Sequence, residues 1–188
     1  ASTATQTFNA GLTVSGGTFT GSSGAVDVNG NVILSSGTLT APSGTFTVSG
    51  DWTNSGGTFT PGGNTVTLDG TGSQTLSAET WSALTVNTRA AGTVDFQGNT
   101  TATTLTVSGA GAYAVSFEGA SNTFTNAVTF ANTGGVTFGD GDGDSSTFNG
   151  GITSTASTTT LRGSLITSND AMTLCALTLA GVTILDSG

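Results

Sequence analysis

The chain has 188 residues and a formal net charge of −9, with Arg89 and Arg162 as its only cations and no Lys or His. Nucleic acids and anionic lipids are bound through clustered Lys and Arg, so the composition predicts no nucleic-acid partner. No apolar run approaches the roughly 20 residues that cross a bilayer as a helix, so no membrane insertion is expected in this segment.

The residue types indicate an all-β fold. Thr, Val, Phe and 30 Gly are prominent and strong helix formers are sparse, which is the composition of strands and turns. Regularly spaced aromatic and β-branched residues separate the chain from disordered sequences, which are poor in both.

Residues 1–70 repeat with a period of 20. Within each repeat apolar residues alternate with Thr, Asp or Ser over two to five positions, as in strands with one buried face. Gly, Ser and Asn clusters that favour turns separate these strands, so one repeat describes three short strands and three turns. The positions that align at this spacing include Gly17, Gly37 and Gly57; Phe19, Leu39 and Phe59; Val26, Phe46 and Val66; and Val28, Val48 and Leu68.

Two architectures could use such strands, an antiparallel meander or sandwich and a parallel β-helix. Only in the parallel β-helix does each residue stack on its equivalent one rung below, which favours like residues at constant spacing. We therefore predict an all-β, single-stranded parallel β-helix (a β-solenoid) of about eight rungs of roughly 20–25 residues, plus a partial first rung. Residues 1–188 are expected to form one continuous domain.

The period loosens after residue 70. The step from Leu68 to Phe96 is longer than one period, which predicts an irregular rung over 71–98 with either a bulged-out loop or a change of rung type. The stretch 99–188 is expected to form rungs slightly longer than those of 1–70.

The predicted inward pairs of one strand are Val94/Phe96, Val115/Phe117, Val136/Phe138, Thr159/Leu161 and Val182/Ile184. Those of a second strand are Leu84/Val86, Leu105/Val107, Val128/Phe130, Ile152/Ser154 and Leu177/Leu179, with Thr85, Thr106, Thr129, Thr153 and Thr178 as an outward Thr column.

Both ends of the chain continue the repeat. Phe8 lies one period before Val28, and "GVTILDSG" still follows the strand pattern. Unpaired strand edges template further pairing. We expect the chain to be a section of a longer solenoid or to self-associate, end to end or laterally.

The densest charge lies in "GDGDGDSSTF", where Asp140, Asp142 and Asp144 alternate with Gly. Carboxylates at positions 1, 3 and 5 resemble the start of a calcium loop, but Ser145 stands at the sixth position and Gly151 at the twelfth, where such loops have Gly and Glu. The sequence therefore leaves two alternatives, a Ca²⁺ site or a solvated turn.

Regular Thr pairs suggest an alternative binding surface. Thr-x-Thr recurs over three rungs, which would place hydroxyl and methyl groups in a grid of the kind that ice-binding β-solenoids present. The candidate binding residues of the grid are Thr18, Thr20, Thr38, Thr40, Thr58 and Thr60.

The two tryptophans are expected in different environments. Trp52 aligns with Leu12 and Val32 and is expected in the core, whereas Trp81 is a candidate for stacking on a sugar.

Catalysis is not expected. Asp95 and Glu118 are candidate outward carboxylates for a polysaccharide-cleaving enzyme, but no two acids share a strand at acid/base spacing.

Cys175 is the only cysteine, so it forms neither a disulfide framework nor a metal cluster. Without His it lacks the usual base of a nucleophile, and we expect a small, buried or half-buried side chain.

The stretches "GNVILSSGTLTAPSGTFTVSGDW", "GSQTLSAETWSALTVNT" and "NAVTFANTGGVTF" resemble repetitive passenger segments of large secreted bacterial surface proteins, of the filamentous haemagglutinin and autotransporter adhesin type. The resemblance implies a β-helical stalk at the extracellular bacterial surface and adhesion, for example to a host or surface glycan. No discrete family motif matches, so no binding residue is transferred. The expected function is a non-catalytic stalk or filament section; the alternative is an ice- or glycan-binding solenoid.

Overall fold

Alternation of apolar and polar residues winds the chain into a parallel β-solenoid of about nine turns in the computed structural model. The structure describes residues 3–188, and no helix occurs among them. The prediction of a parallel β-helix is confirmed, with about nine turns rather than about eight. It follows that each strand finds its hydrogen-bonding partners in the turns before and after it, not in its sequence neighbours.

Three short strand segments make up each turn. The first strands are β1 (Gln6–Phe8), β2 (Leu12–Thr20), β3 (Val26–Val28), β4 (Val32–Thr40), β5 (Phe46–Val48), β6 (Trp52–Asn54) and β7 (Thr58–Thr60). The middle strands are β8 (Thr65–Leu68), β9 (Gln74–Leu76), β10 (Glu79–Val86), β11 (Thr93–Phe96), β12 (Thr100–Val107), β13 (Ala114–Phe117) and β14 (Ser121–Phe124). The last strands are β15 (Val128–Thr129), β16 (Val136–Phe138), β17 (Ser145–Phe148), β18 (Ile152–Ser154), β19 (Thr159–Thr167), β20 (Met172–Leu174) and β21 (Leu177–Asp186).

The strands pair in parallel as three ladders that run along the solenoid axis. Ladder A contains β1, β3, β5, β8, the second halves of β10 and β12, then β15, β18 and β20. Ladder B contains the first halves of β2 and β4, then β6, β9, β11, β13, β16 and the first halves of β19 and β21. Ladder C contains the second halves of β2 and β4, then β7, the first halves of β10 and β12, then β14, β17 and the second halves of β19 and β21.

The inward side chains of the three ladders form one continuous apolar core. Phe96, Phe117 and Phe138 stack with nearly parallel rings, whose centroids are 4.7 and 5.7 Å apart. Phe130 and Phe148 meet Phe138 edge-on. All five rings are buried, so each turn of this region is held by aromatic contacts to its neighbours as well as by backbone hydrogen bonds.

Leu68 and Phe96, whose long separation in the sequence predicts an irregular rung, lie on two different ladders. Leu68 pairs with Val86 on ladder A, whereas Phe96 pairs with Leu76 on ladder B. The turn type does change here: β2 and β4 each run continuously from ladder B into ladder C, whereas β10 and β12 run from ladder C into ladder A. The length of that step therefore does not measure a lengthened turn.

The predicted alignment of the last turn is wrong. Thr159 and Leu161 pair with Leu177 and Leu179, not with Val182 and Ile184. Ile152 and Ser154 pair with Met172 and Leu174, and the outward Thr column therefore continues to Thr173 rather than Thr178. The final segment contains three apolar–Thr–apolar triplets, "MTL", "LTL" and "VTI", so its pattern satisfies more than one register and tertiary pairing selects among them.

Phe138→Ala should destabilise the fold by about 3–5 kcal/mol, because it removes a fully buried ring and leaves a cavity between two turns. Thr137→Ala on the same strand changes a half-buried outward side chain and should alter stability by no more than about 0.5 kcal/mol. Urea unfolding followed by far-UV circular dichroism measures both. Equal losses for the two variants would contradict the assignment of inward and outward columns.

Candidate functional site

The Thr-x-Thr residues predicted from the sequence do assemble into one array on ladder C. Thr18, Thr38 and Thr58 pair in register, as do Thr20, Thr40 and Thr60. All six side chains are exposed or half-buried, while Phe19, Leu39 and Phe59 between them point inward. The array presents hydroxyl and methyl groups at the strand spacing of about 4.8 Å along the axis. It ends at β7, because no strand pairing joins β7 to β10 anywhere in residues 3–188.

A second Thr column, only partly foreseen, runs along ladder A. The sequence predicts its members from Thr85 to Thr153, but the long step from Leu68 to Phe96 hides their alignment with the earlier turns. Asp27 replaces Thr once, and its Oδ1 accepts a 2.9 Å hydrogen bond from the Thr47 hydroxyl. The column consists of Thr7, Asp27, Thr47, Thr67, Thr85, Thr106, Thr129, Thr153 and Thr173.

An open groove of about 350 Å³ lies at the corner between ladders C and A. The Asn64 amide donates to the Pro42 carbonyl at 2.5 Å and closes one side of it. The groove has hydroxyl and amide donors but no aromatic ring or charge among its lining residues, which are Ser43, Gly44, Thr45, Asn64, Thr65 and Thr67. Its walls can hydrogen-bond a polar ligand but offer no apolar stacking surface.

The structure corrects two single-residue predictions. Trp81 is only 2% exposed and packs against Trp52 and Phe59 inside the solenoid, so it is not available to stack on a sugar. Cys175, expected to be buried or half-buried, is exposed and lies in the bend between β20 and β21. The prediction that Trp52 belongs to the core is confirmed, since it is 1% exposed and pairs with Val32.

The carboxylates of the acidic loop point to different partners. Asp144 Oδ2 accepts hydrogen bonds from the backbone N–H groups of Asp140 and Gly141 at 2.9 and 2.6 Å. Asp142 Oδ1 lies 2.7 Å from Arg162 Nε in an exposed ion pair, and this hydrogen bond, followed by one from the Val182 backbone, lowers the pKa of Asp142. Within residues 3–188 no group of three or more His, Cys, Asp or Glu side chains is arranged to hold a metal ion. Of the two alternatives left by the sequence, this geometry favours a self-bonded turn over a Ca²⁺ site.

Both cations of the chain are committed to internal contacts. Arg89 is 3% exposed and donates to the carbonyl oxygens of Leu68 and Gly72 at 3.1 and 2.9 Å. Burial lowers the pKa of Arg89, and burial likewise raises the pKa of the neighbouring Tyr113 to about 12. Arg162 also donates to the Asp140 carbonyl at 2.5 Å. An anionic ligand would therefore have to displace the carbonyl partners of the buried Arg89, whereas the charge of the exposed Arg162 is already paired with Asp142.

Asp95 and Glu118 lie on the outer side of ladder B, with no cation between them. Asp95 pairs with Thr75 and Ser116, so it is stacked between two hydroxyl side chains. Burial raises the pKa of the Glu118 carboxyl, and the negative charges of Asp95 and Asp140 raise it further. A raised pKa suits a proton donor, but these carboxylates lie on an open strand surface rather than in the groove described above.

No family model, curated protein or solved structure matches the chain. Residues 3–188 contain no helix long and apolar enough to span a membrane. The arguments for function consequently rest on the ladders and surfaces of this chain alone.

Glu118→Gln should make stability less dependent on pH. The folded-state pKa of Glu118 lies above its usual 4.5, so its contribution to stability is full below that value and is lost as pH rises through the folded pKa. The variant should be more stable than the wild type at about pH 7, with the difference narrowing at about pH 4. Urea midpoints at the two pH values measure this, and a constant difference would contradict the assigned environment.

The calcium prediction is tested by thermal unfolding in the presence of CaCl₂ or EDTA. At a free Ca²⁺ concentration of about 100 times the dissociation constant, a specific site would stabilise the fold by about 2.7 kcal/mol. Because Asp142 and Asp144 are engaged by Arg162 and the loop backbone, we expect no stabilisation above that given by the same ionic strength of NaCl. A Ca²⁺-specific shift that disappears in Asp142→Asn would instead establish the site.

Proposed function

We propose that this chain is a non-catalytic structural element, a rod-like section of a stalk or filament. The observation that carries the proposal is the continuous parallel core, which joins about nine turns into one body. At about 4.8 Å per turn the rod is roughly 40 Å long. Its outer columns are dominated by Thr, which is compatible with strands and brings no like charges into register.

Self-association is the interaction that the surface supports best. On β21 the large apolar side chains Leu179, Val182, Ile184 and Leu185 are 60, 62, 55 and 48% exposed. Leu179 and Leu185 are in register with the buried Leu161 and Leu165. Such inward side chains are covered elsewhere by the following turn, as Phe138 is by Leu161, and a further parallel turn, from the same polypeptide or from a second copy, would cover them in the same way. Ile184 pairs with the outward Ser164 and adds an exposed apolar side chain on the outer face.

The resemblance to secreted bacterial surface proteins supports an extracellular location and a place within an adhesin. The stretches that carry it form β4 to β6, β9 to β10 and β15 to β16 in the structure, so they belong to the solenoid wall. We accordingly place adhesion to a host or surface glycan in the parent protein and assign this section the role of a spacer.

Electron microscopy and size-exclusion chromatography with light scattering test the self-associating rod. We expect rods or end-to-end fibres that disappear when Leu179→Lys and Ile184→Lys put charge on the β21 edge. Thr137→Lys, on an interior turn of ladder B, is the matched control and should leave end-to-end assembly intact. Compact monomers at all concentrations would contradict filament formation, and assembly that survives the edge charges would place the contact elsewhere.

Ice binding is the second candidate, favoured by the registered Thr array of ladder C and the Thr column of ladder A. Thermal hysteresis and ice-crystal shaping measure it. Thr38→Lys should abolish the activity if ladder C is the surface, and Thr106→Lys should do so if ladder A is. Unshaped ice growth with the wild type would end this alternative, and a glycan array without binding would end the glycan version.

A further inference from the structure

Within residues 3–188, one junction between successive turns lacks strand pairing on a ladder, the junction between the turns that contain β7 and β10. On ladder A, β8 and β10 remain joined by four residue pairs, from Thr65 with Ala83 to Leu68 with Val86. On ladder B, one pair joins β6 to β9, Trp52 with Leu76. On ladder C the part of the chain described here shows no pairing between β7 and β10. The backbone connection thus weakens steadily from ladder A to ladder C.

The carboxylate of Glu79 takes the place of the missing backbone pairing. Its Oε1 accepts a 3.0 Å hydrogen bond from the N–H of Thr80, a group at the start of β10. Its Oε2 accepts from the Asn54 amide at 2.9 Å and from the Trp52 indole at 3.3 Å. One side chain from the upper turn therefore holds two side chains of the lower turn.

Other side chains at the same place also bridge the two turns. The N–H of Asn54 donates to the Ser77 hydroxyl at 2.7 Å instead of to a strand carbonyl. Inside the wall, Trp81 packs against Trp52 and Phe59 with centroid distances of 4.8 and 5.5 Å. The Trp81 Nε1 is buried and has no hydrogen-bond partner in the region the structure describes, so this packing carries the cost of an unmet polar group.

The chain that joins the two sets of turns is the short connector 69–73, between β8 and β9. Gly72 in this connector has nothing within 4 Å of where a side chain would begin, and its carbonyl accepts a 2.9 Å hydrogen bond from Arg89. Small residues with unrestricted φ are common at positions that absorb the backbone rotation of a hinge.

We propose that this junction is a hinge, at which the solenoid opens on ladder C while ladder A acts as the pivot and Glu79 acts as the latch. Opening separates the turns that end at β8 from those that begin at β9, without unfolding either set. The Thr array of ladder C ends at this junction, so opening moves its last members, Thr58 and Thr60, away from the turn that contains β10. The inference goes beyond the structural role proposed above and does not depend on it.

The two tryptophans of the chain, Trp52 and Trp81, both lie at the hinge and report on it directly. In the wild type, acrylamide quenching and tryptophan emission should change at a lower urea concentration than far-UV circular dichroism. Residue-resolved hydrogen exchange should show the N–H groups of Thr80 and Phe59 exchanging at least about tenfold faster than that of Val115 on a continuous ladder, a difference of about 1.4 kcal/mol in opening.

Glu79→Gln tests the latch, because the amide keeps the shape of the side chain but loses the charge and one acceptor atom. Exchange at Thr80 should accelerate by about a further tenfold (about 1.4 kcal/mol), and the gap between the tryptophan and circular dichroism transitions should widen. Glu118→Gln makes the same chemical change beside ladder B in a later turn; it shifts the global circular dichroism midpoint, but it should leave exchange at Thr80 and the urea concentration of the tryptophan change unaltered. Should Glu79→Gln fail to fold, the wild-type measurements still decide.

Coincident tryptophan and circular dichroism transitions in the wild type, together with equal exchange at Thr80 and Val115, would overturn the hinge. Early opening in the wild type that Glu79→Gln does not increase would keep the interruption as a weak point but overturn the latch role of Glu79. Rod length and end-to-end assembly, which test the structural role, are read by microscopy and are independent of both outcomes.

Discussion

In-register stacking of equivalent residues is the constraint on which the rest of this structure depends. A turn of about 20 residues cannot bury its apolar side chains alone, and the cost of ordering its backbone is about 1–2 kcal/mol per residue. Stability arises when a neighbour covers that turn, as Phe117 is covered by Phe96 on one side and Phe138 on the other. The same register acts on the outer surface, where each side chain also meets its equivalent about 4.8 Å away.

That outer register accounts for the scarcity and placement of charge. Asp27 meets Thr47, and Asp69 accepts a 2.7 Å hydrogen bond from Ser49, so each of these carboxylates is stacked on a hydroxyl. Asp95 likewise pairs with Thr75 and Ser116. At Glu118 burial raises the pKa of the carboxyl, and the nearby acids Asp95 and Asp140 raise it further. A surface of Thr, Ser and Asn avoids this repulsion while retaining hydrogen-bonding capacity.

The periodic part of the fold could be predicted from the sequence, because the inward residues of a solenoid must recur at the length of a turn. Val26, Phe46 and Val66 align at the constant early spacing and do pair in the structure. The turns beyond residue 70 were harder to align, since Leu68 and Phe96 share an apolar character although they belong to different ladders. Nothing in an alternating pattern identifies the ladder to which a strand belongs.

The candidate sites were predictable to a smaller extent. The Thr grid followed from the constant spacing of the first turns, but the burial of Trp81 depends on a contact with Trp52 in the preceding turn that no local pattern reveals. The sequence pattern gives no indication of the buried polar residues at the corners between strands. Gln74, Arg89 and Asn132 are buried and use their side chains to bind backbone carbonyls where the chain changes direction. Buried carbonyls need such donors, yet a lone Gln, Arg or Asn in the sequence gives no sign of this role.

The constant spacing in the first three turns has a consequence for how the length of such a chain can vary. Leu12, Val32 and Trp52 follow one another at equal intervals on ladder B, and Phe19, Leu39 and Phe59 do so on ladder C. Duplicating or deleting one whole interval there would present every remaining strand with a chemically equivalent neighbour. A gain or loss of an odd number of residues within a strand would instead turn its apolar side chains toward water. Gene-level changes tolerated in this region should therefore come in multiples of a turn.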